Sequence, residues 1–75
     1  MLAYVLIGLE QADEKEIMQK LSKLSEVKET HILFGEWDLI IKIEAETTDA
    51  LGNFVMDHIR QFKGIKLSTT LICAK

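Results

Sequence analysis

The residues best suited to chemistry stand together. They are Gly35, Glu36, Trp37 and Asp38, within the stretch His31 to Glu46, HILFGEWDLIIKIEAE. A glycine, a large aromatic and two carboxylates between apolar runs are an unfavourable choice for a turn that only reverses the chain. They put backbone N–H groups, a π face and negative charge at one spot, which can grip a small zwitterion or a partner's surface. In that chemistry the turn amides take an α-carboxylate, Asp38 or a Thr hydroxyl takes the ammonium, and Trp37 closes the pocket. The competing reading is a plain hairpin, in which Gly35 supplies positive φ and Asp38 bonds neighbouring backbone. A tryptophan at an exposed tip argues for the first, since such a ring usually rests against a ligand or a neighbouring subunit.

Other reactive side chains offer less. Thr69 and Thr70 face opposite sides of one strand, so at most one points into any given pocket, and threonine favours strands on its own account. His31 lies near Glu29 and His58 beside Asp57, with no HxxxH or CxxC spacing, so no metal is expected. Cys73 is the only cysteine, which excludes a disulfide within the chain and fits a reducing, cytoplasmic setting. With no His or Lys arranged beside it, it reads as an inert buried thiol. Lys63 and Lys66 flank Gly64 and read as solvated. No cofactor is expected.

The elements that must position these residues are legible. Leu2 to Leu9 is apolar at both alternating sets, Ala3/Val5/Ile7/Leu9 and Leu2/Tyr4/Leu6, which predicts a strand covered on both faces. Asp13 caps a helix, with Glu16 three residues on as in a capping box. Ile17, Leu21 and Leu24 form its apolar stripe. Val27 to Phe34 alternates as a second strand and Asp38 to Ala45 returns as a third, joined by a tight turn. Leu39, Ile41 and Ile43 point one way; Ile40, Lys42 and Glu44 point the other. A second helix begins near Thr47 or Thr48, with Leu51, Phe54, Val55, Ile59 and Phe62 as its stripe. Gly64 stops it in the left-handed conformation, and Ile65 to Ala74 is the last strand.

The order βαββαβ predicts an α+β, ferredoxin-like sandwich: four antiparallel strands ordered 4-1-3-2 with both helices on one face. The 75 residues make a single domain, 1–75. The helix-free face would carry alternate apolar residues of strands one and three, plus partners from two and four. Six large apolar side chains left wet there would forfeit roughly 1.5–3 kcal/mol each. A domain of this size has a total stability of only about 4–11 kcal/mol. The face is therefore expected to be covered, most simply by a second copy in a symmetric homodimer.

Composition narrows the function. The net charge is −3, and no basic run of the kind that counterion-release binding needs is present, which disfavours direct nucleic-acid binding. No apolar run is long enough to span a membrane, and the apolar start lacks a basic n-region and a cleavage site.

The string LFGEWDLIIKIEAE, the helix LGNFVMDHIRQF and the segment GIKLSTTLI together resemble the effector-sensing domain of the Lrp/AsnC ("feast/famine") regulators. The family pattern has a Gly-x-Tyr-Asp turn between strands two and three, an apolar strand, and a last strand with a Gly-Val/Ile start and a Thr-rich middle. The likeness covers nearly the whole chain. It implies a ferredoxin-like fold, dimers that face their sheets together in a dimeric α+β barrel-like assembly, often rings of four dimers, and free amino acids bound between dimers near the turn. Carried over residue by residue, Gly35, Glu36, Trp37, Asp38 and Leu39 match the turn, and Ser68, Thr69 and Thr70 match the polar part of the last strand.

Two departures stand out. Trp37 replaces the usual tyrosine, which removes a hydroxyl and enlarges the side chain. Strand one starts at Met1, so the helix-turn-helix segment of full-length members is not in the sequence. The resemblance thus implies a stand-alone sensing domain, with transcriptional control exerted through a DNA-binding partner such as a full-length regulator of the family. Two other classes share the topology. Cofactor-free monooxygenases and isomerases of the dimeric α+β barrel type need an acid–base or oxyanion constellation, and no such arrangement is recognisable. ACT-type regulatory domains usually carry a Gly-rich first loop, which Glu10-Gln11-Ala12-Asp13 lacks.

Overall fold

Strand β1 (Leu2–Leu9) runs through the interior of a four-stranded sheet ordered β2-β3-β1-β4, in a computed structural model that describes residues 1–75. It pairs antiparallel with β3 (Leu39–Glu44) on one side and β4 (Ile65–Ile72) on the other; β2 (Val27–Ile32) pairs antiparallel with β3. This is the expected sandwich. Helix α1 (Glu14–Ser22) connects β1 to β2, and α2 (Thr48–Phe54) connects β3 to β4.

Local chemistry sets the helix ends. Asp13 Oδ1 accepts the N–H groups of Lys15 (2.9 Å) and Glu16 (3.5 Å), satisfying donors that the first turn cannot pair. The Glu16 carboxylate pairs with Lys20 Nζ at 3.1 Å, so the cap acts through Asp13. Thr47 Oγ1 caps α2 by accepting the N–H of Ala50 at 3.0 Å. The helix then widens into a π-helical turn over Val55–Ile59, where the N–H of Arg60 reaches back to the carbonyl of Val55 (2.9 Å). Across the wider turn Leu51, Phe54, Val55 and Ile59 all stay buried. Gly64 adopts φ +100° before β4, and its carbonyl accepts the N–H of Glu10 at 2.9 Å.

The core lies between the helices and one face of the sheet. Ala3, Val5 and Ile7 of β1 and Leu39, Ile41 and Ile43 of β3 pack against Ile17 and Leu21 of α1 and the buried residues of α2. Strand β2 joins this face through Val27 and Thr30, which are three residues apart because the register shifts between Val27 and Glu29. The simple alternation expected across this strand is thereby broken. The bulge leaves Glu29 and His31 on the face away from the helices, opposite Lys42 and Ile40.

That helix-free face is divided. Its apolar half lies on β1 and β4, with Tyr4 and Leu6 half-buried and Leu67 and Leu71 exposed at 57% and 51%. Its other half is charged. Glu29 accepts from Lys42 Nζ at 3.1 Å and lies 3.2 Å from His31 Nε2. The hydrogen bond from His31, then that from Lys42, lowers the Glu29 pKa, and the bond to Glu29 raises that of Lys42. The sequence reading put the apolar set on strands one and three, with partners from two and four. In the fold β3 contributes Ile40 alone, beside Tyr4 and Leu6 of β1 and Leu67 and Leu71 of β4.

Candidate functional site

The β2–β3 connection spans residues 33–38 and is wider than a tight hairpin turn. The N–H of Leu33 bonds the carbonyl of Asp38 at 2.9 Å and closes the loop at its base. Asp38 then ties it to β1: its own N–H donates to the carbonyl of Ile7 (2.9 Å), and its Oδ2 accepts the N–H of Leu9 (2.7 Å). The carboxylate stands in for a ladder acceptor just past the end of the β1–β3 pairing, whose last pair is Ile7 with Leu39. Asp38 is half-buried, and its Oδ1 remains available. Gly35 has φ +132°, a conformation essentially restricted to glycine.

Trp37 corrects the expectation of an exposed tip. It is half-buried, and its Cε3 and Cζ3 lie 3.9 Å from where a Cβ on Gly8 would stand. The same point is 3.6 Å from Leu67 Cβ, so Trp37 and Leu67 flank Gly8 at the border of the helix-free face. The aromatic at the tip is Phe34, which is fully exposed. Glu36 is exposed beside it, whereas Leu39 is buried in the core and anchors the turn from below.

The polar residues of β4 divide between the two faces. Ser68 pairs with Ile7 and Thr70 with Val5, on the helix side; Thr69 pairs with Leu6, on the helix-free side. Ser68 lines a cavity of about 350 Å³ with Arg60 and Lys66. Thr70 lines an adjoining apolar groove of about 300 Å³ between α2 and β4, with Leu51, Val55, Met56 and Ile72. Arg60 borders both and links them into one trough, cationic at one end and apolar at the other. None of the turn residues lines either cavity. Within one chain the eight predicted residues are therefore not brought together: Gly35, Glu36, Trp37 and Asp38 lie on the loop, Leu39 is in the core, Ser68 and Thr70 face the helix side of β4, and Thr69 faces the other side.

Sequence reasoning passed over Phe34 and Arg60. Phe34 reads as the end of an alternating strand, and only the loop's true length detaches it. Arg60 reads as an ordinary polar position after an apolar stripe; in the fold it follows the π-helical turn and lines both cavities beside β4. No three His, Cys, Asp or Glu side chains gather in a metal-ligating cluster, and no helix is long and apolar enough to cross a membrane.

Comparison with known proteins places this geometry among relatives. The family model described as the Lrp/AsnC ligand binding domain matches residues 2–75. An uncharacterized HTH-type transcriptional regulator of Pyrococcus furiosus is 32% identical over 59 residues, covering 79% of this chain and 39% of that protein. The HTH-type transcriptional regulator FL11 of the same organism is 30% identical over 74 residues, covering 99% of this chain and 48% of the regulator. The chain thus spans less than half the length of these curated relatives. Among solved structures, FFRP-DM1 superimposes with a TM-score of 0.92 at 36% identity, covering 96% of both chains. Escherichia coli AsnC gives a TM-score of 0.91 at 28% identity over 99% of this chain and 50% of its own. A transcriptional regulator of Neisseria meningitidis, solved as a complex with L-Met, shares the fold at a TM-score of 0.88 and 21% identity, covering 99% of this chain and 49% of its own.

Proposed function

The chain belongs to the Lrp/AsnC ligand-binding domain family, and from that premise we propose that it is an amino-acid-sensing and oligomerisation module acting on transcription through a DNA-binding partner. The observation that carries this reading is the separation of the turn residues from those of β4. Trp37 and Asp38 belong to the β2–β3 turn, while Ser68 and Thr70 face the α2–β4 trough. Neither half encloses a ligand alone, so a small effector is held where two copies meet.

In that arrangement the turn amides around Gly35 take the effector's carboxylate. The free oxygen of Asp38 takes its ammonium, and Trp37 walls the pocket. A Ser68 or Thr70 hydroxyl from another copy completes the polar contacts. The L-Met complex of the Neisseria regulator supports a free amino acid as the ligand class. The helix-free face supports pairing: Tyr4, Leu6, Leu67 and Leu71 form an apolar patch on a domain with little stability to spare. Isologous stacking of two sheets covers it. Both helices connect strands and cover one face of the sheet, and on this reading DNA recognition belongs to a partner, a full-length family regulator being the simplest.

A thermal-shift panel of the common amino acids, read alongside native mass, tests the proposal. Stabilisation by one or a few amino acids, with a change in assembly size, supports it. An unchanged melting temperature across the panel at millimolar concentration overturns it, because a ligand at 100 times its Kd stabilises by about 2.7 kcal/mol.

A further inference from the structure

Given the bound amino acid of the proposed function, on which this rests, we infer that Gly8 is a positioning residue: it seats Trp37 against β1, and so selects an effector with an apolar side chain. The basis is the way three consecutive residues of β1 receive the turn.

Ile7 and Leu9 hold Asp38 from either side of Gly8. The carbonyl of Ile7 accepts the N–H of Asp38 at 2.9 Å, and the N–H of Leu9 donates to its Oδ2 at 2.7 Å. The main chain next to Trp37 is thereby tied to β1 at two points. Between these ties Gly8 is buried and carries no side chain. It belongs to the alternating set Leu2, Tyr4 and Leu6 on the helix-free face, since the intervening Ala3, Val5 and Ile7 are in the core. A bay one side chain deep is left at this position, and Trp37 occupies it: Cε3 and Cζ3 of the indole lie 3.9 Å from where a Gly8 Cβ would stand. Leu67, paired with Gly8 across the ladder, bounds the bay from β4, with its Cβ 3.6 Å from the same point. The residue types match one another. An indole is larger than the phenol of the family's usual tyrosine, and the empty position at Gly8 accommodates it.

The two ties decide what a larger residue at position 8 would do. A Cβ alone meets both neighbours at ordinary contact distance. Further carbons must displace something in a packed site. The main chain of the turn is held by its hydrogen bonds, so the indole gives way and moves off β1 into the space over the turn. That space is open in the wild type, where a Cβ on Gly35 would meet nothing within 4 Å.

With glycine at position 8 the border of this space is apolar. The turn amides around Gly35 and the free oxygen of Asp38 take the two charged groups of a zwitterion from either side of Trp37. The remaining substituent on its α-carbon therefore meets the indole and Leu67. The charged row of the helix-free face stands apart on β2 and β3, where Glu29 already engages both His31 and Lys42. A polar effector side chain would lose water against Trp37 and Leu67 and gain no partner from them. An aliphatic, thioether or aromatic one gains burial.

Calorimetric titration of the full chain with isosteric pairs tests the assignment, with the emission of Trp37 read at the same protein concentration. Leucine should bind about tenfold or more tightly than asparagine, and methionine than glutamine. Gly8→Val should move the emission to longer wavelength as the indole leaves the bay. It should also cost phenylalanine and methionine about tenfold relative to alanine, as space over the turn is lost. Gly8→Ala should move both readings in the same sense by less. Each ratio is taken within one protein, so a loss of stability or assembly that weakens all ligands alike leaves it unmoved. If circular dichroism shows Gly8→Val unfolded, Leu67→Ala decides, because Leu67 is exposed and its loss spares the core. There the leucine-to-asparagine ratio should fall by about threefold, and an unmoved ratio overturns the inference. A wild type that prefers asparagine, glutamine or a charged amino acid overturns it too, as does a folded Gly8→Val with unmoved emission and ratios. In each of these outcomes amino acids still bind and the sensor reading stands. No binding by any amino acid overturns both.

Discussion

The carboxylate of Asp38 accepts the main-chain N–H of Leu9 at 2.7 Å, joining the candidate ligand turn to the end of the central strand β1. One oxygen of the residue assigned to the effector's ammonium is therefore already engaged in holding the fold. Replacement by alanine should both weaken binding and leave a part-buried N–H unpaired, at about 1–3 kcal/mol. Asp38→Asn separates the two roles. It retains an acceptor for Leu9, so its melting temperature should stay close to wild type, while loss of the charge should weaken amino-acid binding by roughly tenfold, about 1.4 kcal/mol. Calorimetric titration checks this, and wild-type affinity in Asp38→Asn would remove the residue from the site.

Much of this architecture is legible in the residues. Unbroken apolarity from Leu2 to Leu9 marks an interior strand, Asp13 and Thr47 mark helix starts, and Gly64 marks a reversal. These signals are local, so neighbouring residues suffice to read them. The site is less legible because its geometry depends on contacts distant in sequence. Trp37 turns away from the tip because Gly8, remote along the chain, leaves it a bed. Lys28 breaks the period of β2 only because the pairing with β3 slips there. The trough beside Arg60 is lined from two elements distant in sequence, the π-helical end of α2 and β4, which no single helix period announces.

Gly64 has φ +100°, and a Cβ placed on it would stand 2.8 Å from Ala12 Cβ. Gly64→Ala should therefore destabilise the fold by at least ~1–2 kcal/mol through backbone strain alone, with the clash added. At about 4–8 °C per kcal/mol for a domain this small, the melting temperature should fall by roughly 5–15 °C. Gly8→Ala is the contrast, since its added carbon would meet Leu67 and Trp37 at 3.6 and 3.9 Å, ordinary contact distances. A melting scan showing equal losses for the two would contradict this account.

Leu6 lies near the centre of the apolar half of the helix-free face, paired with Ile40 on one side and Thr69 on the other. Leu6→Glu should leave the core intact, because its side chain points away from the helices. It should also forfeit about 1.5–3 kcal/mol of apolar burial per copy in a stacked dimer, and add a charge there. Sedimentation equilibrium should show single copies at micromolar concentration with an unchanged far-ultraviolet spectrum. A stable pair in this variant would move the dimer interface elsewhere.

The Glu29 cluster gives stability a definite pH dependence. The hydrogen bonds from His31 and Lys42 lower its pKa below the ordinary 4.5, so between the native value and 4.5 the unfolded chain binds more protons. Its contribution is present above pH 4.5 and is lost as pH falls through the lowered native value. The Lys42 pKa is raised above 10.5, so its contribution is present below that pH and is lost as pH rises through the raised value. Glu29 is exposed and Lys42 only half-buried, so the effect should be small and should shrink with added salt. Urea titrations at several pH values should show Glu29→Gln flattening the acid limb; an acid limb unchanged in that variant would assign it to other carboxylates.

Trp37 is the only tryptophan of the chain, so its fluorescence reports on the candidate site without interference. In a single copy the ring is half-buried against Gly8, with one side open to water. Sheet stacking and effector binding both act on that open side, and each should move the emission to shorter wavelength by removing water from the indole. The two are separable by concentration: an assembly-driven shift follows protein concentration, while an effector-driven shift saturates with added amino acid at fixed protein. In Leu6→Glu the first shift should vanish. An emission maximum that stays fixed under dilution and throughout the amino-acid titration would mean that Trp37 faces neither a neighbour nor a ligand, and would reduce the turn to a structural element.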